Sequence, residues 1–177
     1  HFNNASVLHK AEMNKPAFSA AIKSLEYNNW SPKNYGKVAE ILISLDHKEE
    51  AIVYLKKLID ISPFNTNALL MLSTIYELND KDMERSVLEF ILSFDPKNVQ
   101  ALSFLVKNLS SSDRGGDAAI IYKRLKNSFE YFKNRDNFGP YHQLVGYVAT
   151  SVADYKYAKY IYTEAVERYP TAENYYN

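Results

Sequence analysis

A chain of 177 residues that is 46% hydrophobic and 24% charged has the composition of a folded domain, far from the low-hydropathy signature of disorder. Lys plus Arg and Asp plus Glu each number 21, so no overall field draws the chain to nucleic acid or anionic lipid, and with no cysteine it has no disulfide, thiolate nucleophile or Cys-ligated zinc. No apolar run approaches the roughly 18 to 20 residues of a membrane helix, and His1-Phe2-Asn3-Asn4 does not open a signal peptide; the lack of cysteine sets the expectation of an intracellular setting, cytoplasmic or nuclear.

Apolar residues recur at three- and four-residue steps over helix-length windows, and two-residue alternation is nearly absent, which predicts an all-α fold. Residues 1–31 hold a short helix near Ala5 to Met13 and a second entered at Pro16, with Ala20, Ala21, Ile22 and Leu25 on its apolar side. Ser31-Pro32 then opens a new helix, Ser31 as its cap and Pro32 in its first turn. Tyr35, Val38, Ala39 and Leu42 share one face of it; Asp46-His47-Lys48 makes a polar turn; Ala51, Leu55 and Leu58 follow on a second helix, closed by Pro63. This is one helical hairpin.

The same slots return at Leu69, Leu72, Ser73 and Tyr76, again at Leu102, Leu105, Val106 and Leu109, and a fourth time at Val145, Gly146 and Ala149. The second helix repeats as Ala118, Tyr122 and Leu125 and as Ala158, Tyr162 and Ala165, and the 12-residue step from Ala51 to Pro63 recurs from Ala158 to Pro170. Small residues at Ala39, Gly146, Ala51 and Ala158 allow paired helices to approach closely. In the second copy Glu84 takes the small slot after a turn one residue shorter, so that hairpin is expected to be splayed or shifted. The third copy has Glu130 where a proline is due, and six extra residues before the fourth predict a lengthened helix through Lys126 to Asp136 and a bend in the array.

A two-helix unit of about 34 residues with these slots and a terminal proline resembles the tetratricopeptide repeat family. The resemblance covers residues 32–170 as four copies, with 1–31 as a partial repeat and Thr171 to Asn177 as the start of a truncated further one, so the chain is expected to be part of a longer array. It implies an α-solenoid, a right-handed superhelix of antiparallel helix pairs.

Chemistry is sparse. His1, His9, His47 and His142 include no pair at metal-ligand helical spacing, and Asp80-Lys81-Asp82-Met83-Glu84 lacks the glycine and the closing acid of a calcium loop, so no metal or cofactor is expected. Gly115-Gly116 lacks the lysine of a phosphate loop, and no serine sits in a nucleophile elbow; no catalytic residue is nominated and the chain is not read as an enzyme. The sequons Asn4-Ala5-Ser6 and Asn108-Leu109-Ser110 read as chance matches, because Leu109 occupies a core slot.

The resemblance further implies that first helices line a concave face, where a protein or peptide partner binds through positions outside the core slots. These are Lys37, Glu40 and Ser44; Leu70, Met71 and Thr74; Ser103, Phe104 and Lys107; and Gln143, Leu144 and Tyr147. Of them Lys37, Glu40, Met71, Thr74, Phe104, Lys107, Gln143 and Tyr147 are the expected partner-binding residues, with Met71, Phe104 and Tyr147 as an apolar strip. A clamp for a terminal carboxylate is disfavoured, since its positions read Gly36, Glu40, Met71, Gln100 and Phe104. Two functions stay open: a scaffold within a multi-subunit assembly, or a substrate-recruiting or regulatory segment of a larger enzyme. Neither nucleic acid nor membrane is an expected partner, and the spacing says nothing of the oligomeric state.

Overall fold

The structure, a computed structural model, describes residues 14–28, 30–135 and 138–170. The expected helix near Ala5 to Met13 and the seven residues from Thr171 lie outside them. Among the described residues there are nine helices and no strand: α1 (Asn14–Tyr27), α2 (Pro32–Ser44), α3 (Lys48–Ile61), α4 (Thr66–Asn79), α5 (Lys81–Phe94), α6 (Val99–Ser111), α7 (Gly115–Phe132), α8 (Gly139–Ser151) and α9 (Tyr155–Arg168). The chain divides into two compact units, residues 1–80 and 81–177, and the division falls inside the second copy, whose helices are joined by Asp80 alone.

In the first unit α2 and α3 form the predicted hairpin, with Val38, Ala39, Ile41, Leu42, Ala51, Leu55 and Leu58 buried in its seam. Proline at the first position of α2 needs no intrahelical donor, but Ser31 makes no side-chain cap bond, contrary to expectation. The polar signal upstream resides in Asn34 instead, a buried side chain whose amide donates to the Ser24 carbonyl of α1 at 3.1 Å. α4 continues the array, with Leu69, Leu70, Leu72 and Ile75 buried and Asn65 as its cap, accepting from the Ala68 amide at 3.0 Å.

The hairpin turns are built alike in both units. Asp46, Asp113 and Ala153 adopt left-handed backbone, with φ of 61°, 55° and 61°. The next residue's amide reaches back over the end of the first helix: His47 to Leu42 at 2.9 Å, Arg114 to Leu109 at 3.1 Å and Asp154 to Ala149 at 2.9 Å. That bond satisfies a carbonyl the helix end leaves unpaired. The second copy has no such turn, because Asp80 alone joins its helices where the other copies have three residues.

In the second unit α5 to α9 bury Leu88, Ile91, Leu102, Val106, Leu125, Phe129, Val145, Val148 and Ile161 among others. Glu84, in the slot where other copies carry alanine, is 3% exposed. A buried carboxylate must be satisfied, and this one accepts from Asn108 of α6 at 2.8 Å and from Lys81 at 3.2 Å. Asn108 also donates to the Lys81 carbonyl at 2.8 Å and accepts from Arg85 at 3.2 Å, which explains why its sequon is buried. In the fourth copy Gly146 is required by its neighbour, since a Cβ there would lie 2.6 Å from the Tyr162 ring. Glycine and tyrosine stand in the slots held by Ala39 and Leu55 in the first copy, so one residue has shrunk where the other has grown. α7 runs to 18 residues against 13 or 14 for the other helices, as the six-residue excess predicts.

Candidate functional site

The eight expected partner-binding residues all lie on first helices, and the structure shows how each unit arranges its own. In the first unit a groove of ≈ 360 Å³ runs between α2 and α4, lined by Lys33, Gly36, Lys37 and Glu40 on one side and by Asn67, Ala68 and Met71 on the other. Gly36, with no side chain, and Ala68, with a short one, leave room for it. Lys37 and Glu40, one turn apart, form an ion pair at 2.6 Å along the rim. Thr74 is exposed, with its hydroxyl donating to the Met71 carbonyl at 2.8 Å.

In the second unit Phe104 and Lys107 of α6 meet Tyr147 of α8. The Lys107 ammonium lies 5.9 Å from the Phe104 ring centre and 5.7 Å from that of Tyr147, within reach of both π faces. Tyr147 is 56% exposed, a large aromatic surface that the core does not use. Gln143, one turn before it, is half-buried. Leu70 and Ser103 depart from expectation: both are buried, and the Ser103 hydroxyl is turned inward to the Val99 carbonyl at 2.7 Å. They serve packing and are not available to a partner.

One cluster escaped the sequence reading. Around the connection from α7 to α8, Phe129 and Phe132 each pack tilted against Phe138, which stacks on Tyr141 with ring centres 4.5 Å apart and planes at 29°. His142 is fully buried behind them, 4.8 Å edge-on to Phe129 and 5.3 Å from Tyr169. Its Nδ1 contacts the Phe138 carbonyl at 3.2 Å while Nε2 finds no partner, and burial holds its pKa below the usual histidine value. The only signal for this cluster was the six-residue excess before the fourth copy. Among the described residues no three of His, Asp and Glu gather as a metal site, and no helix is long and apolar enough to cross a membrane.

The hairpin geometry meets an independent finding in the sequence: residues 32–65 match a family model described as the tetratricopeptide repeat. Residues 32–65 carry a tetratricopeptide repeat. Solved structures show that the repeat's fold extends well beyond this first copy. The chain is similar to TTC0263, a thermophilic TPR protein of Thermus thermophilus, at 14% identity and a TM-score of 0.73, covering 98% of this chain and 92% of that one. It is also similar to MamA from Desulfovibrio magneticus RS-1, at 14% identity and a TM-score of 0.66 over 93% and 90% of the two chains. YrrB, described as a TPR protein with an unusual peptide-binding site, shares 14% identity at a TM-score of 0.62 over 98% and 87%. No curated protein sequence matches the chain. At such low identity the shared property is the helical-repeat fold.

Proposed function

We propose that this chain is a protein-interaction scaffold that holds a segment of a partner protein against its first-helix residues and catalyses nothing itself. The observation that carries the reading is the arrangement of Phe104, Lys107 and Tyr147, a cation set between two aromatic rings, one of them mostly exposed. Aromatic side chains combine large contact area with few rotatable bonds and dominate the energetics of protein interfaces. A lysine beside them favours acidic character in the ligand and quickens its association. The groove beside Lys37, Glu40 and Met71 offers the first unit a first-helix surface of its own. The peptide-binding site named for YrrB, on the same fold, supports this use of it.

The test takes a peptide selected from a random display library against the protein and titrates it against three variants. Phe104→Ala is expected to weaken binding tenfold or more, about 1.4 kcal/mol or above, with the circular dichroism unchanged. Lys107→Ala should weaken it modestly, and more at low salt. Lys57→Ala, on the exposed side of α3, should bind as the parent does. Equal losses at Lys57 and Phe104 would place the partner elsewhere.

A further inference from the structure

α7 is longer than the other helices, and residues near its end and at the start of α8 line a second recess that includes none of the eight expected partner-binding residues. Phe132 and Arg135 at the end of α7, and Phe138 and Tyr141 at the start of α8, face the α5–α6 turn at Asp95, Lys97 and Asn98 across a cleft of ≈ 330 Å³. That volume lies at the lower end of the range for ligand pockets, room for one anchoring side chain and not for a folded partner.

The walls are aromatic and the rim is cationic. The Lys97 ammonium sits 4.0 Å from the Tyr131 ring centre, and the Arg135 guanidinium 4.4 Å from that of Phe132. A ring face attracts a cation but does not neutralise it, and a guanidinium stacked on a ring keeps its edge N–H donors available for a carboxylate. Among the described residues neither Lys97 nor Arg135 lies within 4.0 Å of a carboxylate oxygen, although nine other cation–carboxylate pairs on α2 to α9 and their turns do, together with one His–Glu pair. Asp95, the acid of the cleft, already accepts from the Asn98 amide at 2.9 Å. Apolar walls that admit one side chain, beneath two cations lacking acidic partners, fit an anchor that is apolar and flanked by acids.

We infer that this cleft is a second peptide-docking site, which takes an acidic segment of a partner protein by one aromatic side chain with carboxylates on either side. The ring enters between Phe132 and Tyr141, and the flanking carboxylates meet Arg135 and Lys97. Arg135 is suited to hold its carboxylate through two N–H groups at once, whereas Lys97 acts as a point charge.

The probe is the acetylated, amidated peptide Glu-Asp-Phe-Glu-Asp, titrated into the ¹⁵N-labelled chain and followed by amide chemical shifts. Expected are shifts at Asn98, Phe138 and Tyr141, a tenfold or greater loss of affinity in Lys97→Glu with Arg135→Glu, and a loss with rising salt. Glu-Asp-Gly-Glu-Asp should bind at least tenfold more weakly. Phe104→Ala should leave the titration unchanged, which separates this site from the first-helix surface. Overturning results are no shift at those three residues at millimolar peptide, the same affinity for the glycine peptide, or the same affinity in the doubly reversed variant with its circular dichroism intact. Stronger shifts of the same amides by inorganic phosphate would also overturn the assignment and make the cleft a phosphate site.

Discussion

The same substitution should have opposite signs at two glycines of this array. Alanine at Gly36 places its Cβ 3.6 Å from a Leu58 methyl, an ordinary contact, so it adds only the helix preference of alanine over glycine, about 0.8–1 kcal/mol. Alanine at Gly146 gains the same preference, but its Cβ falls 2.6 and 2.7 Å from the Cε1 and Cζ atoms of Tyr162, about 1 Å inside normal contact. Relieving that overlap moves a ring packed between α8 and α9, and overpacking of this kind costs about 1–3 kcal/mol. Gly146→Ala should therefore fall about 1–3 kcal/mol below Gly36→Ala in urea unfolding followed by far-ultraviolet circular dichroism. With the ring removed by Tyr162→Ala, the added Gly146→Ala should become stabilising by about 1 kcal/mol. If Gly146→Ala stabilises as much as Gly36→Ala, or if its effect ignores Tyr162→Ala, the small and large slots of the fourth copy have been misassigned.

Three further outcomes follow from the structure. Ala153, exposed and with φ of 61°, should gain about 1 kcal/mol on substitution by glycine, because a Cβ is disfavoured in left-handed backbone; unfolding midpoints check this. Glu84→Ala leaves one buried N–H of the Asn108 amide unpaired and should cost about 1–3 kcal/mol, whereas Glu84→Gln, which keeps an acceptor, should cost less in the same assay. Burial alone would raise the Asp154 carboxyl, but bonds from Lys126, Tyr122 and the Tyr157 amide hold it below the usual range. Its stabilisation is then full above the unfolded value of about 4 and lost as pH falls through the lower folded value, so the gap between the parent and Asp154→Asn should close on acidification, as paired unfolding curves would show.

The hairpins were legible because burial of paired helices imposes a spacing: Val38 with Leu42, Ala51 with Leu55, and their counterparts in later copies lie in the seams they predict. The long α7 was legible as an excess of residues. What was not legible depends on neighbours far along the chain. Nothing local to Glu84 reveals that Asn108 will satisfy it, and a buried carboxylate otherwise reads as a solvated one. Leu70 and Ser103 stand one residue, about 100° of helix, before Met71 and Phe104, and only the packing of adjacent helices decides which position is covered. The left-handed turns at Asp46, Asp113 and Ala153 carry no glycine, so the usual sign of that conformation is missing. The aromatic cleft arises from a turn between copies, where the repeat pattern says nothing.

Site-specific photo-crosslinking would show whether first-helix side chains hold a partner protein. A photoreactive phenylalanine is placed singly at Met71, Phe104 and Tyr147, and at Lys57 and Lys123 on exposed sides of second helices, and the crosslinked peptide is sequenced from each. Phe104 and Tyr147 are expected to crosslink to one contiguous segment of a partner, and Met71 to the same partner; titration of that segment then weakens tenfold or more with Phe104→Ala, while Lys57 and Lys123 yield none of it. Recovery of that segment chiefly from Lys57 and Lys123 would move the binding surface to the second helices.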